Sequence, residues 1–175
     1  MRTSKGFKRK AFLIGGSSFC VVALFRYYFL FVLTIGESMQ PTLAKGDLLL
    51  VFKKAYAHAD PRRGEIIIAD TGRELIVKRI VAVAGETAEV KDGALFIDGN
   101  LIPEHYTMSD HVPFEIAKGT LFGGRFATLG DNRAIPAKEA FHPIVSKEQI
   151  VGRACLCISF SRFQVKRLTN PFETH

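Results

Sequence analysis

The apolar positions of this chain fall into two regimes. Residues 11–33, "AFLIGGSSFCVVALFRYYFLFVL", are almost uninterrupted, with Arg26 the single charge. A bilayer core accommodates about 20 apolar residues as a helix, so this run predicts one membrane-spanning anchor over 11–33. Beyond it the pattern breaks into short β-branched and leucine-rich runs bounded by Gly, Pro and Asp. "DLLLVFK" (47–53), "GEIIIA" (64–69) and "ELIVKRIVAV" (74–83) read as strands. "ALFIDGNLIP" (94–103) is a hairpin signal, because Asp98-Gly99 suits the positive φ angles of a tight turn. "GRFATLGDN" (124–132) reads as a strand running into a turn, and "IVGRACLCISF" (150–160) as a last strand. Helical periodicity is absent outside the anchor. The expectation is a mainly β, antiparallel domain over 34–175, tethered by one N-terminal transmembrane helix.

Charge sharpens that division. Lys and Arg total 24 against 17 Asp and Glu, a net charge of +7 that on its face fits a nucleic-acid binder. Five of the bases (Arg2, Lys5, Lys8, Arg9 and Lys10) fall in the first ten residues, which hold no acid, and setting them aside leaves 19 bases against 17 acids. The basicity is thus a cap on the N-terminus, and nucleic acid is excluded as a partner. Basic flanks stay cytoplasmic. Residues 1–10 are therefore expected inside, the anchor in the cytoplasmic membrane, and residues 34–175 outside, with lipid as a partner of the anchor. Arg26 can snorkel outward past Tyr27 and Tyr28, or else the span is shorter and residues 27–35 lie in the headgroup layer. A cleaved signal peptide, with Thr34 and Gly36 as small residues at the cut, is the other reading, but the run is long for one.

Cysteine and histidine add little chemistry. Cys20 falls in the anchor, and Cys155 and Cys157, two apart in a strand, are expected on one face as small apolar filler. No His pair stands at ligand spacing, so no metal or cofactor is expected. His58, His105, His111, His142 and His175 sit in polar connections or at the terminus and read as solvated loop residues.

Two other residues carry more. "TIGESMQPTL" (34–43) places Ser38 in a turn where the anchor ends. A serine hydroxyl needs a base to become a nucleophile. Lys78 is flanked on its own strand face by Ile76 and Ile80, since alternate residues share a face. Burial among aliphatics disfavours the charged form of a lysine and lowers its pKa, so that it can accept a proton from serine; the other reading of the same residues is an edge-strand lysine pointing at water. Arg79 must point to the opposite face, among Val77 and Val81, and needs a carboxylate there.

With these motifs in order, the chain resembles the type I signal peptidases, membrane-bound serine proteases with a Ser-Lys dyad. "GESMQPTL" is similar to the family's nucleophile motif, with Met39, Pro41 and Thr42 in register. "KGDLLLVFK" and "RRGEIIIAD" resemble the strands that follow, with Glu65 where Asp is more usual. "LIVKRIVAVAGE" resembles the general-base motif, "DGALFIDGNLIPE" the next hairpin and "LGDN" the late turn. The resemblance implies Ser38 as nucleophile and Lys78 as general base of an endopeptidase that removes signal peptides from exported preproteins. It also brings the Gly-Asp-Asn turn beside the lysine strand, making Asp131 the expected partner of Arg79. Two departures stand out. "GDNRAIPAKEAFHPIV" has Pro136 near the place of a serine that orients the lysine in relatives and lacks their Asp-Ser-Arg. Gly36 stands where some members carry a serine that completes the oxyanion hole.

Two alternatives remain open on the residues alone. The family includes conjugative-transfer peptidases that mature a pilin, for which the substrate would be a prepilin. A different class, a catalytically silent membrane-tethered assembly protein, keeps the scaffold without needing both Ser38 and Lys78.

Overall fold

A computed structural model describes residues 20–108, 116–135 and 144–172. A helix over residues 20–28 leads straight into β1 (Phe29–Leu33), the first strand of a large antiparallel sheet. The other strands of that sheet are β2 (Leu48–Phe52), β3 (Ile66–Asp70), β4 (Leu75–Ala82), β9 (Arg125–Leu129), β10 (Ile144–Ser146), β11 (Ile150–Ser159) and β12 (Gln164–Arg167). They lie in the order β1-β2-β11-β3-β4-β9-β10, with β12 hydrogen-bonded to β11. A second sheet, ordered β7-β6-β5-β8, contains β5 (Thr87–Lys91), β6 (Ala94–Ile97), β7 (Asn100–Ile102) and β8 (Ile116–Thr120).

The architecture is the expected mainly β, antiparallel one, and the six strand runs read from the apolar pattern are all strands. The hairpin at Asp98-Gly99 forms with φ of 51° and 82° at those two residues. Its neighbour at Asp92-Gly93, φ 50° and 77°, joins β5 to β6 in the same way. The weakly apolar β5, β8 and β12 were not legible as strands. They are held by pairing to neighbours rather than by a strong pattern of their own.

Two expectations change. The run 11–33 was read as one helix, yet residues 29–33 are a strand, paired Phe29↔Phe52 through Leu33↔Leu48. Leu30 and Val32 pack on the core beneath β2, and Phe29 stacks near Phe52 with ring centroids 5.5 Å apart. An apolar run does not by its period distinguish a buried strand from a helix; the partner strand decides. Among the described residues no helix is long and apolar enough to cross a membrane. Residues 1–19, with the basic cap and the first part of the expected anchor, lie outside the described residues. The second change is at Cys155 and Cys157. The pairing of β11 with β2 jumps from Ala154↔Val51 to Leu156↔Leu50, a β-bulge at Cys155. The bulge breaks the two-residue alternation, so Cys157 enters the core with Ala154 while Cys155 is only half-buried.

One core cluster, built from Met39, Leu43, Leu49, Val51, Ile66, Ile68, Ala154 and Cys157, lies under the turn that carries Ser38. Another, with Ile67, Ala69, Ile76, Ile80, Phe126 and Val145, fills the face of β3 and β4 on which Lys78 alternates. A third joins the two sheets through Val81, Ala82, Leu129, Val90, Leu95 and Ile97. The fold therefore anchors both candidate residues from beneath.

Candidate active site

The Ser38 turn is closed at its base and pinned at its middle. Thr34 N–H donates to Asp47 O (2.9 Å), and Gly46 N–H donates back to Thr34 O (2.8 Å). Thr34 Oγ1 donates to Ala44 O at 2.6 Å. Within the loop Gln40 N–H bonds Glu37 O (3.1 Å) and Leu43 N–H bonds Met39 O (2.8 Å), across a cis Gln40–Pro41 peptide. Met39 and Leu43 are buried in the core below. With those two side chains pulled down, Ser38 is left half-exposed above them.

The late Gly-Asp-Asn turn is docked directly on this loop. Asn132 N–H donates to Ser38 O at 3.0 Å, and its side-chain amide donates to Glu37 O at 3.3 Å. Gly130 permits the approach: a Cβ there would lie 2.3 Å from Ser38 O, which is backbone and cannot swing aside. Asp131, fully buried, accepts from Arg79 Nε (2.9 Å) and Nη2 (2.6 Å) and from Thr42 Oγ1 (2.5 Å). The pairing of Arg79 with Asp131 expected from the sequence is thus present, as a bidentate fork. Arg79 also donates through Nη1 to Gly64 O (2.7 Å), and its guanidinium lies 4.0 Å from the Tyr106 ring centroid. One carboxylate so ties the Ser38 loop, through Thr42, to the strand that bears Lys78.

Beside it runs a second polar chain that the sequence did not signal. Tyr106 OH donates to Glu104 Oε1 (2.6 Å), which also receives Arg133 Nη2 (2.7 Å). Arg133 Nε donates to Gly130 O at 2.8 Å. The backbone completes it, with Met108 N–H to Asp131 O (2.9 Å) and Arg133 N–H to Met108 O (2.7 Å). These residues come from loops with no periodic pattern, so only the folded chain reveals them. Burial, with Glu104 as the second cause, pushes the Tyr106 phenol up, so it stays a donor.

Lys78 stands opposite Ile67 of β3 and between Ile76 and Ile80 of its own strand, with 5 % of its surface exposed. Burial pushes its ammonium below the usual lysine range, and the nearby Asp131 and Glu74 carboxylates oppose that shift only in part. Lys78 and Ser38 line one groove of about 510 Å³, walled by Val32 to Gly36 and Met39 on one side and by Glu74 to Val77 on the other. The walls have free backbone. β4 pairs with β9 only from Arg79 onward, so among the described residues 75–78 have a hydrogen-bonded neighbour, β3, on one side alone. β1 is an edge strand.

The other candidates fall elsewhere. His58 and His105 are exposed, as expected of loop residues, and His111, His142 and His175 lie outside the described residues, as does Pro136. Gly36 lies in the groove wall with open space where a Cβ would be. Among the described residues no cluster of His, Cys, Asp and Glu is arranged to hold a metal ion.

Buried Lys78, half-exposed Ser38 and an unpaired stretch of strand edge thus share one groove. The family described as "Signal peptidase, peptidase S26" matches residues 9–159, and the chain belongs to it. It is similar to a signal peptidase I of Leptolyngbya laminosa, 33% identical over 67% of this chain and 63% of that protein. It is also similar to signal peptidase I T of Bacillus subtilis, 31% identical over 75% of this chain and 76% of that one. A solved signal peptidase I from Enterococcus faecalis matches 54% of this chain and 96% of its own, with 24% identity and a TM-score of 0.45. The match spans less than two thirds of the length of the Leptolyngbya relative.

Proposed function

We propose that this chain is a membrane-anchored serine endopeptidase that removes signal peptides from exported preproteins. The observation that carries the reading is the single groove lined by half-exposed Ser38 and buried, pKa-depressed Lys78. An extended substrate adds to the free edge of residues 75–78 by main-chain hydrogen bonds, which places its carbonyl at Ser38. Ser38 Oγ attacks the carbonyl carbon while neutral Lys78 Nζ takes the hydroxyl proton. Backbone N–H groups of the turn stabilise the oxyanion, since Gly36 has no side chain to offer. The C–N bond breaks, the leaving amine receives the proton from Lys78, and a water deprotonated by Lys78 then hydrolyses the ester. The apolar run before β1 acts as the anchor, with the N-terminus cytoplasmic. It holds the enzyme and a substrate's apolar segment at one membrane surface, a proximity gain.

The test is cleavage of a preprotein in detergent by the full chain and by Ser38→Ala and Lys78→Ala. Each variant is expected to lose turnover by at least about a thousandfold while keeping its β-sheet circular-dichroism spectrum. Near-normal cleavage by either variant would sink the dyad.

A further inference from the structure

The groove carries one charged group besides Lys78. Its lining is otherwise Val32, Leu33, Ile35, Met39 and the β4 aliphatics, with Thr34, Gly36 and Ser38, but Glu74 stands at its end. Glu74, Ile76 and Lys78 fall at alternate positions, and the Glu74 charge is felt at Lys78. The Glu74 backbone closes the β3–β4 turn, accepting from Thr71 N–H at 3.1 Å. Its side chain is exposed and has no hydrogen bond or ion pair among the described residues. Glu74 thus brings an exposed carboxylate without a side-chain partner among the described residues to the end of a groove that is mainly apolar.

The topology says which part of a substrate meets it. Each step from β1 through β2, β11 and β3 to β4 is antiparallel, so β1 and β4 run in the same direction. Both groove walls therefore ascend together, from Val32 and Glu74 at one end to Ser38 and Lys78 at the other. The helix of residues 20–28 feeds β1 and so stands at the Val32–Glu74 end. A substrate whose apolar segment lies beside that helix enters at Glu74 and reaches Ser38 with the residues before the cut bond. Glu74 is four residues from Lys78, about 13 Å along a strand.

We infer that Glu74 is a specificity residue, which receives a lysine or arginine side chain four or five residues before the bond to be cut. This rests on the peptidase reading and deepens it: the preferred substrates carry a basic residue between their apolar segment and the cleavage site.

The experiment uses the full chain in detergent and matched preproteins with Lys, Ala or Glu placed four or five residues before the cut. Wild type is expected to favour Lys over Ala in kcat/KM by about fivefold at the best position, the size of a good solvent-accessible ion pair. Glu74→Gln should equalise the three substrates, and Glu74→Lys should favour Glu. If Glu74 acted only through the charge on Lys78, Glu74→Gln would change all rates by one factor and keep the ratios, which overturns the inference. So would equal cleavage of Lys and Ala substrates by wild type at every position, or a preference for Lys placed after the bond instead. Equal cleavage leaves the peptidase reading intact; failure of wild type to cut any of the preproteins overturns that reading and the subsite with it.

Discussion

Lys78 has opposite consequences for activity and for stability. Burial lowers its folded-state pKa, whereas in the unfolded chain it titrates at about 10.4. In the proposed mechanism only the neutral amine accepts the Ser38 proton, so kcat/KM should rise with pH and level off below the ordinary lysine range. A rate still climbing above about pH 10 would contradict this. Between the two pKa values the unfolded chain binds the extra proton. Stability therefore increases with pH across that window and is reduced below it. Below the unfolded-state pKa the buried Lys78 amine therefore subtracts from stability, because the fold disfavours the proton that the unfolded chain binds. Lys78→Met, which keeps the length and removes the amine, should raise the unfolding free energy, because nothing remains to be desolvated there. Urea denaturation at pH 7 measures it, and the difference from wild type should shrink as pH approaches 10. The same variant should be inactive.

At the scale of elements, the site depends on a loop, a turn and a strand being locked together. Asp131 takes two bonds from Arg79 on β4 and one from Thr42 in the Ser38 loop. Both charges are buried, with side-chain exposures of 3% and 1%. Breaking one partner of such a pair leaves the other uncompensated, at about 3–5 kcal/mol. Asp131→Ala should therefore lose stability on that scale and activity too, because Thr42 and Asn132 no longer hold the Ser38 loop. Arg79→Ala should do likewise. The double variant should lose clearly less than the two losses summed, a coupling that a double-mutant cycle in urea reads directly. Strict additivity would show that the pair contributes nothing as a pair.

On the whole-molecule scale, the helix before β1 and the groove stand in series, so attachment and catalysis are separable. Removing residues 1–28 keeps every strand and each of the three core clusters. The shortened protein should cut a short soluble peptide at a rate near that of the full chain. On a preprotein embedded in vesicles it should fall behind by about tenfold or more, because the shared surface no longer concentrates enzyme and substrate. An equal loss on both substrates would show that the segment serves the fold rather than the membrane.

What the chain determined by itself was whatever is local. Apolar runs bounded by Gly, Pro and Asp marked the strong strands, because alternation and turn chemistry act within a few residues. Ser38 and Lys78 stood out as candidates, the one by its turn and the other by its aliphatic neighbours, but it was the order of the motifs, through the family resemblance, that singled them out as a pair. The need of Arg79 for a carboxylate followed from its forced position opposite Lys78. Pairing and contact, which act between residues far apart in sequence, belong to the tertiary structure. The last five residues of an apolar run became β1 because β2 was there to bond them. A register jump against Val51 and Leu50 sent Cys157 inward and left Cys155 outside its face. The closeness of Gly130 to Ser38 O, the chain from Tyr106 through Glu104 to Arg133, and the groove that joins Glu74 to the dyad rest on approaches that no run of neighbouring residues encodes. Burial supplies the energy for them, and burial exists only once the sheets have closed.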